Sequence, residues 1–357
     1  MAIKHLELFS GIGGFRYAMD LLNRDFGAKF NSIGFSELDT NAVNTYKQNF
    51  CTKDEIEIGD IVSFVNKKTC IRNLPNFNIL TGGFPCQAFS MMGKQKGFDD
   101  LRGNVFFKII EIIKIKKPNF LLLENVKNIL THNKKETFAT IKRAIEYLGY
   151  NVKYDIFNSS EFSLPQTRNR VFIFASRKDL EVGFKFEYVK KSFENINKKT
   201  SIMKHNYTFE ILEKSVDKKY YLSEIIKPTI LSDGTKKFKS KSSINQLVAR
   251  PLTATMAKMH RACQDNYFSD DYINADNPIE YVKQQFTKEE LAKKSIRRLT
   301  PKEAFNLQGF HDEFYIKAKN AKISDSQLYK QAGNAVSVNT VYAILYYLFV
   351  EKKIMEV

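Results

Sequence analysis

Residues 83–88 place a single cysteine, Cys86, directly after a proline in a loop that follows a predicted strand at 77–81. Glycines at the strand end allow a sharp turn, and Pro85 fixes its own φ while favouring an extended residue before it. The carboxyl end of an α/β strand is where an open sheet places its chemistry, so Cys86 is a candidate nucleophile. A lone cysteine is also commonly a small buried hydrophobe, and this segment alone leaves both interpretations open.

Two further segments carry groups that could act on a substrate. Glu124 ends a predicted strand after four apolar residues, where partial desolvation raises the pKa of a carboxyl and favours a shared proton near neutrality. In an extended stretch Gln166, Arg168 and Arg170 share one face. Their amide and guanidinium groups suit a carbonyl oxygen, a phosphate or a carboxylate. A plain strand-end acid and an exposed basic edge strand would give the same two patterns.

The first predicted strand leads into a glycine loop at residues 9–14. Such a loop lets the backbone turn tightly and approach a nucleotide-like ligand closely. Arg16 stands where the dinucleotide motif Gly-x-Gly-x-x-Gly requires its third glycine, which favours an adenosine site without a pyrophosphate. After the second and third strands, Glu37 could accept both ribose hydroxyls and Asp60 could accept from an adenine amino group. Each acid alone is explained by a helix cap or by solvation, but their recurrence at successive strand ends favours a ligand site.

Other motifs have structural explanations when each is taken alone. Residues 93–103 are polar, basic and bounded by glycine, which predicts either a mobile loop that closes over a substrate or a solvated surface loop. Thr300, Pro301 and Glu303 predict a helix start with a capping box.

These candidates lie on a regular alternation of strands and helices. Strands are predicted at 5–9, 31–36, 55–58, 77–81, 119–124, 152–157 and 171–175, with helices such as 41–50, 104–116 and 134–148 between them. The alternation predicts an α/β fold with a mostly parallel sheet of about seven strands covered on both faces. Residues 185–295 are rich in lysine and lack this rhythm, which predicts a smaller inserted domain. Helical patterns return at 301–307 and after Asn339, and the last helix is expected to pack on the first domain.

Composition limits the class of protein. The 357 residues have an ordinary globular balance of hydrophobic (43%) and charged (27%) side chains, with room for a large domain and a smaller one. The formal charge of +17 favours a polyanionic partner such as nucleic acid, although an AT-rich genome would also enrich lysine. The four cysteines have neither zinc-site spacing nor a disulfide pattern, so no metal and a reduced, cytoplasmic location are expected. Neither a signal peptide nor a membrane span is predicted.

Together the motifs resemble those of the DNA (cytosine-5) methyltransferase family, in particular the HhaI-like bacterial restriction–modification type. The matching pieces follow the family's order: FSGIGG at 9–14, Glu37, GD at 59–60, GGFPCQAFS at 82–90, GKQKGF and DLRG within 93–103, ENV at 124–126, QTRNR at 166–170, RLTPKEAFNLQGF at 298–310 and QAGNAV at 331–336. About 180–295 lacks a clear match, and that region varies within the family. Ala335 stands where relatives often have serine, a departure that should matter little.

The resemblance implies a Rossmann-like methyltransferase sheet, S-adenosylmethionine as methyl donor with S-adenosylhomocysteine as product, and a cytosine flipped out of duplex DNA as acceptor. It implies that Cys86 is the nucleophile and Glu124 the acid at the base ring, with Arg168, Arg170 and Gln166 as supporting contacts. The implied donor-site residues are Phe9, Gly11, Ile12, Gly13, Glu37, Asp60, Ile61, Pro85, Asn334, Ala335 and Val336. The expected DNA contacts are Gln87, Ser90, Arg102, Arg250, Thr253, Lys258 and Arg261, with Thr253 nearest to the bases.

The domain hypothesis joins residues 1–184 and 330–357 into a catalytic domain that binds S-adenosylmethionine, assigns 185–295 to target recognition, and treats 296–329 as a hinge and return segment. A monomer acting on a specific duplex site is expected, with no physical need for a cognate endonuclease. Three alternatives stay open: the same chemistry on tRNA, a nicotinamide-dependent oxidoreductase, and a non-catalytic DNA-binding regulator. The long lysine-rich insert disfavours the tRNA enzyme, and the missing third glycine disfavours the oxidoreductase. The complete set of reactive groups disfavours a non-catalytic regulator.

Overall fold

The structure, a computed structural model, describes residues 2–85, 105–180, 182–235, 238–239, 242–261 and 263–355. Cys86, Gln87, Ser90 and Arg102 lie outside the described residues. The chain divides into two compact units, the first formed by Met1–Phe157, Asn169–Ser201 and Thr340–Val357, and the second by Asn158–Arg168 and Ile202–Asn339. These bounds differ from those of the domain hypothesis, because 185–201 belongs to the first unit while 158–168 and 330–339 belong to the second.

The first unit is built around a sheet that confirms the predicted strands. Among the described residues these are β1 (Ile3–Leu8), β2 (Phe30–Ser36), β3 (Ile56–Glu57), β4 (Ile79–Gly83), β5 (Phe120–Val126), β6 (Tyr150–Asn158) and β7 (Asn169–Arg177). Their order in the sheet is β3-β2-β1-β4-β5-β7-β6. Strands β1 to β5 pair in parallel and β7 runs antiparallel to β5, so the sheet is mostly parallel as expected.

Helices connect and cover these strands. They are α1 (Gly14–Phe26), α2 (Thr40–Asn49), α3 (Ile61–Asn66), α4 (Lys68–Asn73), α5 (Val105–Lys116), α6 (Glu136–Tyr147) and α7 (Glu187–Glu194). The helices predicted at 41–50, 104–116 and 134–148 are confirmed as α2, α5 and α6. Since crossover helices return the chain to the same edge of a parallel sheet, β1 to β5 all end at one edge, where the predicted acids and the glycine loop lie.

The two faces of β1 differ in polarity. Leu6 and Leu8 join the apolar core with residues of β5 and α5. His5 and Glu7 alternate with them and are fully buried on the other face, where His5 Nε2 lies 2.7 Å from Thr81 Oγ1 of β4. Burial lowers the pKa of His5 to about 3, with Arg16 acting in the same direction. Burial raises the pKa of Glu7 to about 8, against a smaller opposing effect of Arg16.

The second unit consists mainly of short elements. Its described elements are α8 (Lys227–Leu231), β8 (Gly234–Thr235), β9 (Phe238–Lys239), β10 (Tyr267–Ser269), α9 (Asp270–Ile273), α10 (Pro278–Tyr281), α11 (Lys288–Ala292), β11 (Ile296–Arg298), α12 (Pro301–Leu307), α13 (Asp312–Asn320) and α14 (Asp325–Asn334). The capping box at Thr300 is confirmed: Glu303 accepts from the Thr300 N–H at 2.7 Å. The same carboxylate receives a buried, bidentate pair from Arg297, with bonds of 2.7 and 2.9 Å. Sequence reasoning assigned this glutamate to the cap and missed its arginine.

The chain ends with α15 (Val338–Leu345) and a π-helical turn at Tyr346–Glu351. The ring of Phe349 packs 5.2 Å from that of Phe30 and 5.6 Å from that of Phe120, which confirms that the carboxyl-terminal helix packs on the first unit. The stretch Asp325–Glu351 has the length and apolar character of a membrane span, but 83% of its most apolar window is buried inside the protein. A core helix of a soluble protein has the same properties.

Candidate active site

The glycine loop after β1 combines a tight turn with open space. Phe9, Gly11 and Gly13 all have left-handed backbones, with φ of 53°, 54° and 86°. A Cβ added to Gly11 would meet nothing within 4 Å, whereas one added to Gly13 would lie 2.4 Å from an atom of the Phe50 ring. Gly13 is therefore required for packing within the protein, and Gly11 borders a space that a ligand could fill. A left-handed conformation is costly for Phe9, and such strain is frequently kept at functional sites.

Glu37 lies next to this loop and is fixed by main-chain donors. Its Oε2 accepts from the Gly11 N–H at 2.8 Å, and its Oε1 accepts from the N–H groups of Leu38 and Asp39 at 2.8 Å each. A carboxylate offers about four acceptor positions, so these three bonds leave capacity for a ligand hydroxyl. The glycine loop and the acid after β2 therefore form one local arrangement, as expected from the sequence.

Asp60 is the N-cap of α3. It accepts from the N–H groups of Val62 and Ser63 at 3.0 and 3.1 Å and from the Ser63 hydroxyl at 2.6 Å. The Ser63 hydroxyl bond is the main cause that holds the pKa of Asp60 below its usual value. The following residue, Ile61, is buried at the start of α3. The cap interpretation of Asp60 is thus confirmed, and one free acceptor position is consistent with a ligand amino group as well.

Glu124 forms an ion pair at the end of β5. Its Oε1 lies 2.9 Å from Arg170 Nε, and the two side chains are 13% and 18% exposed. Glu124 pairs across the sheet with Gly83, the last residue of β4, and a Cβ on Gly83 would lie 3.1 Å from Glu124 Oε2. The absence of a side chain at Gly83 leaves the carboxylate accessible from the strand that leads to Pro85. The expectation from the sequence that Glu124 shares a proton with a substrate stays a prediction.

Asn125 positions the chain that enters the cysteine loop. Its Nδ2 donates to the Phe84 carbonyl at 2.8 Å, and both residues are buried. The Phe84 ring also packs 5.4 Å from the ring of Phe106. The sequence analysis includes Asn125 in the ENV motif but predicts no role for it. Its position directly after a strand-end acid is the sequence feature that could have indicated a positioning role.

Gln166 and Arg168 are engaged elsewhere, in the second unit. Gln166 is fully buried, and its Oε1 accepts from the Leu252 N–H at 2.9 Å. Arg168, 2% exposed, donates to the carbonyls of Leu252, Gly333 and Ala335 at 3.0, 3.1 and 2.8 Å. The two side chains thus hold both polar groups of the Leu252 main chain. Their described contacts differ from those of Arg170, which pairs with Glu124 in the first unit. The roles of all three side chains as supporting contacts at the base stay predictions.

The recognition segment, defined as residues 250–255, packs directly on α14. A Cβ at Gly333 would lie 2.3 to 2.4 Å from main-chain atoms of Thr253 and Ala254, so only glycine allows this approach. Asn334 is exposed at the end of α14, and Ala335 and Val336 are buried after it. Residues 333–336 and the recognition segment therefore form one packed arrangement within the second unit.

The predicted DNA-contacting cations have different surroundings. Arg261 donates to the hydroxyls of Thr253 and Thr255 at 3.0 and 2.8 Å. Arg250 donates to the carbonyls of Ser243 and Asp265 at 3.1 Å each. Both arginines act as links inside the second unit, so their DNA contacts stay predictions. Lys258 is exposed. Within the described part of the chain, no group of three or more His, Cys, Asp or Glu side chains could hold a metal ion.

Comparison with known proteins tests the family assignment. The family model described as C-5 cytosine-specific DNA methylase matches residues 3–349. The chain belongs to this family.

Curated relatives of the C-5 cytosine methylase include the type II methyltransferase M1.ScrFI of Lactococcus lactis subsp. cremoris, 37% identical over 96% of this chain and 76% of the relative. The type II methyltransferase M.SsoII of Shigella sonnei is 36% identical over 95% of this chain and 78% of the length of M.SsoII. These matches confirm the predicted enzyme class, a DNA cytosine-5 methyltransferase. The family implies S-adenosylmethionine as the donor and DNA as the substrate.

Solved structures support the fold. The Schizosaccharomyces pombe Dnmt2 methyltransferase has a TM-score of 0.73 at 18% identity, and the Entamoeba histolytica methyltransferase EhMeth has 0.69 at 20%, each covering 99% of both chains. At this identity the likeness shows a shared methyltransferase fold and leaves the nucleic acid substrate to be decided by other observations.

Proposed function

We propose that this methylase transfers a methyl group to carbon-5 of one cytosine in a specific duplex DNA site, after that cytosine has been flipped out of the helix. The observation that carries the proposal is the Glu124–Arg170 pair beside Gly83, where β4 leads through Pro85 to Cys86 in the sequence. A nucleophile that follows β4 in the sequence and an ion-paired acid at the end of the neighbouring β5 fit addition to a cytosine ring. The type II names of the relatives support a role as the methylase of a restriction–modification system. A monomer in the bacterial cytoplasm is part of the same proposal.

The reaction follows from the residue types. The Cys86 thiolate adds to carbon-6, and the ring electrons shift so that carbon-5 becomes nucleophilic. Glu124 shares its proton with ring nitrogen 3 and stabilises the added state, while Arg170 fixes the carboxylate. Carbon-5 would form its bond to the methyl group as the bond from that methyl to the donor sulfur breaks, which leaves S-adenosylhomocysteine. A base then removes the carbon-5 proton and the carbon-6–sulfur bond breaks, which restores the ring and the thiolate. Gln166 and Arg168 hold the recognition segment through bonds to the N–H and carbonyl groups of Leu252.

Residues at the ends of β1 to β3 fit the donor. Bound S-adenosylmethionine supplies an activated methyl group on sulfur. The open space beside Gly11 and the remaining acceptor capacity of Glu37 suit an adenosine moiety with its ribose hydroxyls. Phe9, Ile12, Gly13, Asp60 and Ile61 would complete this part of the site, with Pro85, Asn334, Ala335 and Val336 as further proposed contacts.

Labelled methyl transfer tests the proposal. The purified full-length protein is incubated with S-adenosylmethionine labelled in the methyl group and, separately, with mixed duplex DNA and with tRNA. We expect label in 5-methylcytosine of DNA and none in tRNA, and bisulfite sequencing of plasmid from expressing cells then locates the site. Label in tRNA alone would support the tRNA alternative. Cys86→Ser should abolish turnover while binding of S-adenosylhomocysteine persists, and Cys51→Ser, at an exposed free cysteine, serves as the matched control.

A further inference from the structure

The loop that follows β5 carries an exposed group of cations close to the Glu124–Arg170 pair. This basic loop, residues 127–135, joins β5 to α6. Lys127 comes directly after Val126, the last residue of β5, and three residues after Glu124. The basic loop therefore leaves the sheet at the edge where Glu37, Asp60 and Glu124 lie, which is the edge that carries the proposed chemistry.

Three lysines of the basic loop have uncompensated charge. Lys127, Lys134 and Lys135 are exposed, and none of their side chains has an ion-pair or hydrogen-bond partner among the described residues. The neighbouring helix α6 is different, because its two cations are paired: Lys142 with Glu146 and Arg143 with Glu136. Of these two neighbouring segments, the loop that adjoins the site is the one whose cations lack described partners.

The tip of the basic loop has an unusual backbone. Asn133, Lys134 and Lys135 are consecutive left-handed residues, with φ of 47°, 53° and 76°. Left-handed backbone is unfavourable for side chains with a Cβ, and turns of this kind ordinarily use glycine. A bond of 2.7 Å between His132 Nδ1 and Thr137 Oγ1 closes the turn across its base. Two adjacent lysines therefore occupy backbone positions that glycine would adopt with less conformational strain.

We propose that the basic loop is a DNA-backbone contact of the first unit, in which the three lysines bind phosphates next to the cytosine presented to Glu124. This inference rests on the proposed function and adds a surface outside the recognition segment. Lysine is a point charge without the fork geometry that reads a base, so the contact is independent of sequence. Its expected signature is a share of the salt dependence of binding, because each neutralised phosphate releases counterions.

The test compares two triple variants of equal charge change in the full-length protein. The first replaces Lys127, Lys134 and Lys135 by glutamine. The matched control replaces Lys114, Lys117 and Lys178, which are exposed near the amino end of β5, at the opposite edge of the sheet. Fluorescence anisotropy of a short labelled duplex gives Kd over a range of NaCl concentrations in the presence of S-adenosylhomocysteine.

We expect the slope of log Kd against log salt to fall by about 0.9 for each lost phosphate contact, so by about 2 to 3 for the basic-loop variant, with the control unchanged. Binding of S-adenosylhomocysteine should stay near wild type in both variants, and turnover should stay near wild type in the control variant. Equal slopes for the basic-loop variant and the wild type, or equal losses in both variants, would overturn the inference. A wild-type protein that binds duplex DNA but never methylates cytosine would instead refute the proposed function. In that case the salt-dependence slopes of the two variants would still decide whether the basic loop contacts DNA.

Discussion

Arg168 and Arg170 are two residues apart, yet their contacts predict opposite consequences of replacement by lysine. Arg168 uses its planar fork to reach carbonyls of two separate segments, at Leu252 and at 333–335. An ammonium group lacks that fork, so Arg168→Lys should keep one of the bonds at most. Losing two charge-assisted bonds at about 1.5 to 3 kcal/mol each predicts a loss of about 3 to 6 kcal/mol in the free energy of unfolding. Activity should fall because the fold around the recognition segment is weakened.

Arg170→Lys should affect turnover instead. The pair with Glu124 is partly exposed, and lysine keeps the charge, so a stability change below about 1 kcal/mol is expected. The new side chain loses the fixed 2.9 Å contact that orients the carboxylate, which predicts a fall in kcat of roughly a hundredfold. The matched control is Arg177→Lys on the same strand, whose exposed pair with Asp179 has no role in the proposed site.

Urea unfolding, donor-site titration and steady-state methyl transfer on the three variants give the readouts. We expect a lower urea midpoint for Arg168→Lys alone, and intact stability with lost turnover for Arg170→Lys. Wild-type unfolding together with a lost kcat in Arg168→Lys would refute the first expectation, since Arg168 would then act at the base. A destabilised Arg170→Lys with normal kcat would reverse the two assignments.

Three other features give predictions of the same kind. Burial raises the pKa of Glu7 from 4.5 to about 8, so the protonated carboxyl stabilises the folded protein fully below pH 4.5, and this contribution is lost as the pH rises to about 8. The loss in the free energy of unfolding is at most about 5 kcal/mol. Glu7→Gln should remove that part of the pH dependence of urea unfolding. Gly333→Ala should destabilise the protein by about 1 to 3 kcal/mol and impair DNA binding, whereas Gly183→Ala, where a methyl would meet nothing, should be neutral in both assays. Asn125→Ala frees the Phe84 carbonyl and should lower kcat while S-adenosylhomocysteine titration stays unchanged; an unaltered kcat would remove its positioning role.

The sequence was sufficient for features that depend on local pattern. Alternating strands and helices predict the sheet, and a parallel sheet brings strand ends to one edge, so the position of Glu37 and Glu124 at one edge follows from the sequence alone. The capping box at Thr300 is equally local. Asp60 shows the limit of such reasoning, because a helix cap and a ligand-binding acid have the same sequence signature, and the cap is what the structure describes.

Arg168 shows what local pattern cannot supply. In the sequence it alternates with Gln166 and Arg170, and alternation predicts one shared face. Its actual partners are 84, 165 and 167 residues away, and the chain passes from one compact unit to the other between Arg168 and Asn169. Such a division follows from long-range packing, for which a short motif carries no signal.

The same amino acid type takes different roles on this one sheet because of the donors around it. Glu37 receives three main-chain N–H groups and Glu124 receives a guanidinium, both at strand ends. Glu7 lies fully buried inside β1, where the effect of burial outweighs that of the main-chain N–H groups of Phe15 and Arg16 beside its carboxyl. Its pKa is raised, and that of His5 on the same face is lowered, so these two groups are both uncharged between about pH 3 and 8. Burial within the sheet therefore keeps Glu7 and His5 uncharged, whereas the acids at the strand ends have polar donors beside them and lie where the proposed methyl donor and base would bind.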